Sequence, residues 1–316
     1  MRALTFEEGI AKLQEDMPEP TRGPQQAIVR PVVMGICDTD LQIMQGYSGF
    51  SGVLGHEFVG VVVDGPQEWM GQRVVADINF ACGACPTCLA GDVHHCPQRT
   101  VMGIVQAHGA FAERVAVPVS NLLRVPDHVS DQDAVFTEPL AAAFEILEQV
   151  NIDDSMTTLV IGDGKLGSLC AQVLATTGAT VVLWGHHQHK IDRIAKRGIQ
   201  GALEPTWTGR PFDVVVEATG SKAGLQAAIN AVRPRGTVVL KSTVAGAHEL
   251  SLAPIVIDEL RLVGSRCGPF DKALAALSDG DIDVASLIDA VYPLSDGLKA
   301  LDHARRSGVM KVLLRC

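Results

Sequence analysis

Aromatic side chains are scarce in this chain of 316 residues: they make up 4%, with three tryptophans and two tyrosines. That gives no hint of a large flat ligand held by stacking. Positive charge is also short. Lysine and arginine number 26 against 36 aspartates and glutamates, a formal charge of −10, which argues against a broad phosphate-binding surface and so against nucleic acid as a partner. No stretch approaches the roughly 18 uninterrupted apolar residues of a membrane span. Low-complexity tracts and fixed-period repeats are missing too. The opening Met1-Arg2-Ala3-Leu4-Thr5 has neither the apolar core nor the cleavage site of a secretory signal, so a reducing, cytoplasmic setting is expected.

What the chain does have is a cluster of thiols. Cys82, Cys85, Cys88 and Cys96 form C-x2-C-x2-C followed by seven residues and a fourth cysteine. Four thiolates can enclose one Zn²⁺ tetrahedrally, and such a closed site holds a loop in shape and leaves no position for substrate. An iron–sulfur run also opens C-x2-C-x2-C and ends Cys-Pro, as Cys96-Pro97 does, but its fourth cysteine follows sooner and serves a second cluster, for which this chain has no cysteines. Disulfides would need an oxidising compartment. Structural zinc is the expectation. His94 and His95, inside the loop, are read as exposed because four sulfurs already fill the site. The remaining Cys170, Cys267 and Cys316 have no metal-like spacing and are read as packing or surface residues.

With 47% hydrophobic residues and 31 glycines, the chain is long enough for two domains. Up to about residue 140, short Val- and Ile-rich runs (26–33, 58–63, 73–78, 112–117) alternate with Gly and Pro turns, the pattern of a mostly β domain. Glu138-Pro139-Leu140 then opens a helix, with Leu140, Phe144 and Leu147 expected on its apolar face. From Thr157 strands and helices alternate, which implies a parallel sheet covered by helices on both faces.

The first of these strands leads into Gly162-Asp163-Gly164-Lys165-Leu166-Gly167, and a helix with Leu166, Leu169, Cys170, Val173 and Leu174 on one face follows. G-x-G-x-x-G between strand and helix is the dinucleotide-binding fingerprint: Gly162 for the tight turn, Gly164 for approach of the pyrophosphate, Gly167 for helix–strand packing, with the helix N–H groups at Lys165 and Leu166 facing the phosphates. NAD sites usually carry an acid at the end of the next strand. Here that strand ends Leu183-Trp184-Gly185-His186-His187, without one. The missing carboxylate removes a barrier to a 2′-phosphate, and Gly185, His186, His187, Lys190 and Arg193 stand where such a phosphate would fall. The reading leans to NADP; the other is that these residues are solvated and NAD binds through other contacts.

Two motifs in the first domain carry metal-ligand chemistry: Gly35-Ile36-Cys37-Asp38-Thr39-Asp40 and Gly55-His56-Glu57. One Cys, one His and one further ligand make a zinc site with an open position. By themselves a lone Cys is more often a buried apolar side chain and a lone His merely hydrogen-bonded.

Taken with the four-cysteine cluster, Gly109-Ala110-Phe111-Ala112-Glu113, Glu138-Pro139-Leu140-Ala141 and the glycine loop, these motifs resemble the zinc-dependent medium-chain dehydrogenases/reductases, the alcohol and polyol dehydrogenases, over nearly the whole chain. The resemblance implies an α/β protein with a GroES-like catalytic domain (1–140), a Rossmann doubly wound parallel sheet (141–267) and a C-terminal return to the catalytic domain (268–316). It implies a reversible, zinc-dependent hydride transfer between NAD(P) and an alcohol, sugar or polyol, in a homo-oligomer (dimer or tetramer). Cys37, His56 and Glu138 would hold the catalytic zinc, with Glu138 marking the sorbitol-type branch, and a second zinc would sit among the four clustered cysteines. Glu57 would be an acid beside the metal, Asp40 would orient His56, and Thr39 would take the substrate proton. Many relatives place a histidine five residues after the zinc cysteine as the outer end of a proton relay; Gln42 stands there and cannot act as a base, leaving solvent or Asp38. Two other classes stay open: a nucleotide-binding protein without catalysis, and a zinc-independent reductase using Tyr47 or Tyr292.

Overall fold

Alternating apolar residues between turn-forming glycines and prolines give the first part of the chain its strands. In the computed structural model, which describes residues 1–243 and 250–316 apart from the side chain of residue 196, the long strand Gln26–Gly35 is the axis of a seven-stranded sheet. It pairs antiparallel with Glu57–Asp64, Val115–Pro118 and Lys311–Arg315. The register sets Gly35 opposite both Glu57 and Leu313. Residues 35–37, 55–57 and 311–313, remote in sequence, are thereby gathered at one end of the sheet. Leu4, Met34, Ile36, Leu54, Phe111 and Phe136 are fully buried in this unit.

Six parallel strands form the second sheet. Their spatial order is Gln200–Ala202, Thr180–Trp184, Thr157–Ile161, Phe212–Glu217, Val232–Leu240, Arg261–Gly264. Numbered along the chain this is 3-2-1-4-5-6, the doubly wound arrangement whose direction reverses at the first strand, where ligands bind beyond the strand ends. Leu159, Phe212, Val215, Ile229 and Val238 form its core. The helix Lys165–Ala175 buries Leu169, Cys170, Val173 and Leu174 as its spacing predicts, with Leu166 half-buried.

Two expectations shift. In the helix Thr137–Gln149 the buried stripe is Leu140, Ala143 and Ile146, with Val150 just past its end; Phe144 and Leu147 flank it half-buried. The chain also divides into Met1–Glu138 with Ile288–Cys316, and Pro139–Leu287, so the return to the first unit comes at Ile288, not near 268. The intervening stretch is tied to the second unit: Asp283 donates its N–H to Gln172 Oε1 at 2.7 Å, and Gln172 Nε2 donates to Asp283 O at 3.0 Å.

Candidate active site

Cys37 is the N-cap of the helix Asp38–Ile43, which begins just after the axial strand ends. Asp40, in the first turn, reaches back to accept the Cys37 N–H on Oδ2 at 2.9 Å. Its Oδ1 accepts the Gly55 N–H at 3.2 Å and lies 3.3 Å from His56 Nδ1. One fully buried carboxylate thus fixes the Cys37 loop against the His56 loop and sets its charge beside one ring nitrogen of the imidazole.

The ligand atoms of Cys37, His56 and Glu57 lie within 4.8 Å of one another. Glu57 Oε2 accepts from Lys311 Nζ, while Oε1 is buried with no hydrogen-bond partner. An orphaned carboxylate oxygen beside a thiol and an imidazole is a donor set that suits Zn²⁺. Burial alone would lower the His56 pKa, but facing Asp40 and Cys37 raise it well above the ordinary value; a field of that sign attracts a cation. Thr39 Oγ1 is 3.7 Å from Cys37 Sγ. Glu138, expected as third ligand, is not among these three, whose third donor is Glu57. Burial pushes the Glu138 carboxyl up to about 7, with His56 and Lys311 opposing the rise and Glu57 and Asp77 adding to it.

In the four-cysteine loop, neighbouring sulfurs are 3.5 to 3.9 Å apart. Four sulfurs about 2.3 Å from one central ion would be separated by about 3.8 Å, whereas a disulfide needs about 2.05 Å. The loop fits one ion. His95 is exposed, but His94 is not as expected: it is half-buried, with Nε2 2.6 Å from Asp77 Oδ2.

The glycine loop also fits its ligand. Gly162 adopts φ +117°, and a Cβ there would meet Ala218 O at 2.5 Å. A Cβ on Gly167 would collide with Gly162 O, while one on Gly164 would enter open space, where a pyrophosphate can approach. Gly164 caps the helix Lys165–Ala175 without a side-chain bond, so the N–H groups of the first turn, Lys165, Leu166 and Gly167, face that space. Gly185, His186 and His187 follow the next strand, and Lys190 is buried in the short helix Gln188–Ile194.

Against known proteins, the alcohol dehydrogenase GroES-like domain family matches residues 23–127, and the zinc-binding dehydrogenase family matches residues 166–279. A probable zinc-binding alcohol dehydrogenase of Mycobacterium tuberculosis is 30% identical over 98% of this chain and 86% of its own. The chain belongs to the zinc-dependent alcohol and polyol dehydrogenases. A sorbitol dehydrogenase of Halalkalibacterium halodurans is 29% identical over 95% of this chain and 94% of its own. A Sinorhizobium meliloti structure described as a zinc-binding dehydrogenase bound to NADP superposes with a TM-score of 0.90 at 26% identity, covering 100% of this chain and 99% of its own. The dehydrogenase is accordingly a zinc- and NAD(P)-dependent oxidoreductase of alcohols and polyols with a GroES-like and a Rossmann domain. Among its described residues no helix is long and apolar enough to cross a membrane. Tyr292, one of two candidates for zinc-independent carbonyl activation, has its hydroxyl 3.0 Å from His303 Nδ1.

Two residues of these sites carried no role in the sequence reading. Lys311 interrupts the apolar run Met310 to Leu314, and a lysine there signals a buried acidic partner. Asp163 lies between the first two motif glycines and accepts hydrogen bonds from the loop at 185–187.

Proposed function

We propose that Cys37, His56 and a carboxylate, Glu57 in the present arrangement with Glu138 beside it, hold the catalytic zinc, and that the substrate hydroxyl is oxidised there. The single observation behind this reading is the convergence of the Cys37, His56 and Glu57 donors within 4.8 Å, with Glu57 Oε1 buried and unpartnered. Bound zinc supplies Lewis acidity toward the substrate oxygen, and bound nicotinamide accepts or returns the hydride. Asp40 holds the imidazole of His56 in place. Thr39 Oγ1, beside Cys37, takes the substrate proton and passes it outward; with Gln42 where a relay base would stand, the proton leaves to solvent or by way of Asp38. Lys311 answers the charge of Glu57 within the first unit. The loop Gly162–Gly167 and the first turn of its helix take the pyrophosphate.

Cys82, Cys85, Cys88 and Cys96 would hold a second, structural zinc. Cys88, deprived of water, has its thiol pushed up to about 12, and Cys82, which accepts N–H bonds from Ala84 and Cys85, is lowered to about 6. A cation shared by the four sulfurs would hold them as thiolates, because a coordinated thiol deprotonates. We further place the protein in a reducing compartment, the cytoplasm, because neighbouring sulfurs of the four-cysteine loop stand 3.5 to 3.9 Å apart, at metal-site and not disulfide spacing. A homo-oligomer is supported by the edge strand Arg261–Gly264 and exposed Leu252, Val256, Ile257 and Leu262 near it.

The test is cofactor reduction across small alcohols, sugars and polyols, with wild type and Cys37→Ser compared. Turnover that Cys37→Ser removes, with dinucleotide binding retained, is expected; full activity in Cys37→Ser would refute the site.

A further inference from the structure

The end of the strand Thr180–Trp184 has no acid in sequence, yet a carboxylate stands there. A Cβ built on Gly185 would come within 2.5 Å of both Cγ and Oδ2 of Asp163. The Asp163 carboxylate therefore fills the space that a side chain at residue 185 would enter, reaching it from the glycine loop instead of the strand end. It is well anchored. Asp163 Oδ2 accepts the N–H of His186 at 2.7 Å and of His187 at 2.7 Å, and lies 3.0 Å from His187 Nδ1. The described hydrogen bonds of this carboxylate all fall on Oδ2, which leaves Oδ1 as an acceptor.

We propose that Asp163 is the cofactor-selecting acid of this dehydrogenase, taking the 2′-hydroxyl of the adenosine ribose and excluding a 2′-phosphate, so that the protein binds NAD(H) in preference to NADP(H). This rests on the nucleotide-binding reading of the same loop. The groups that leaned toward NADP no longer form an open anion site. The two N–H groups and the His187 ring already face Asp163, an internal anion placed where a phosphate would otherwise draw them. Buried Lys190 is the cation whose field reaches the same carboxylate, so the pair offers a 2′-phosphate little net attraction. Burial would raise the Asp163 pKa, but the bonds from His187 and His186 and the charge of Lys190 outweigh it and hold the carboxyl below its usual range, so it is ionised at neutral pH. The Sinorhizobium neighbour holds NADP, and within one fold an acid at the ribose is what separates NAD from NADP sites.

The test is the dissociation constant of NADH and of NADPH for the full-length protein, by fluorescence enhancement of the reduced nicotinamide or by calorimetry, without substrate. Wild type is expected to bind NADH at least roughly tenfold more tightly, the scale of one unshielded charge contact. Asp163→Asn keeps the side-chain shape and an acceptor for the loop N–H groups but removes the charge, and should narrow the NADH:NADPH ratio by about tenfold. The double variant Asp163→Gly with Gly185→Asp moves the acid to the strand end and should restore the NADH preference. That result also separates charge at this point from damage to the loop, which would weaken both cofactors alike. Wild type binding NADPH as tightly as NADH, or an unchanged ratio in Asp163→Asn, overturns the proposal alone. Wild type binding neither dinucleotide overturns it together with the nucleotide-binding reading.

Discussion

The two regions proposed to hold zinc are built in opposite ways. The four-cysteine loop draws all its donors from residues 82–96, so a short peptide already holds the whole site. The Cys37 centre draws on residues 37, 40, 56, 57, 138 and 311, and needs the register of Gln26–Gly35 against Glu57–Asp64 and Lys311–Arg315 before its parts meet. A site with adjacent donors can be shaped by its ion, since metal binding supplies folding energy directly. A site with scattered donors must be shaped by the sheet, and Asp40 and Lys311 do that through buried contacts.

The strongest way to break this contrast is one cysteine from each region. Cys37→Ser should cost roughly a thousandfold in turnover, the loss of several kcal/mol of transition-state stabilisation. It should lower zinc from two to one ion per chain by elemental analysis and barely move the melting temperature. Cys85→Ser should also lose one zinc, but here limited proteolysis should cut within 82–96 while folded molecules keep turning over. Equal melting losses in the two variants would erase the distinction.

Next is Lys311→Met measured on chelator-treated protein, where Glu57 is left charged, buried and without a counter-charge. Both side chains of this pair are 1% exposed, and removing one partner of a buried pair costs about 3–5 kcal/mol. Urea unfolding should show that loss, and adding Glu57→Gln should recover much of it. A single variant as stable as wild type would mean that Lys311 does not balance Glu57.

A glycine from each region gives the smaller effects. A Cβ on Gly35 would collide with Glu57 Oε2 and come within 2.9 Å of Lys311 Cε, both locked in their pair. Gly35→Ala should therefore cost about 1–3 kcal/mol, as overpacking does, and reduce turnover as well. Gly83 in the cysteine loop has φ +72° and open space around its Cβ position. Gly83→Ala should cost only about 1 kcal/mol of backbone strain and leave turnover unchanged. Reversed order between these two variants, read by the same unfolding curves, would contradict the steric account of Gly35.

The same contrast explains what could be read from the sequence. The spacing of Cys82, Cys85, Cys88 and Cys96 carries its geometry with it, and so does Gly162 to Gly167 between a strand and a helix. Cys37 and His56 were only weakly visible from pattern and became a pair through family resemblance, because nothing local states that residues 37 and 56 meet. Lys311 and Asp163 were passed over for a related reason: the role of each is set by a partner elsewhere, Glu57 across a sheet and Gly185 across a parallel strand pair. The helix at 137–149 shows a subtler limit. Spacing gave a plausible apolar face with Phe144, but the partner surface chose the side with Ala143. His94 was assigned to solvent from the chemistry of the loop alone, and Asp77, outside that loop, decided otherwise.

The position of Lys311 after every other residue of the Cys37 centre sets an order of events in synthesis. Cys37, His56, Glu57 and Glu138 leave the ribosome first, and the whole six-stranded sheet follows before Lys311–Arg315 exists to pair with Val33–Gly35. Until that strand arrives, the Glu57 carboxylate lacks its counter-charge and that stretch of Gln26–Gly35 presents an unpaired edge. A nascent chain stopped before residue 311 thus carries a complete four-cysteine loop and an unfinished Cys37 centre, so competence for chemistry waits for that strand.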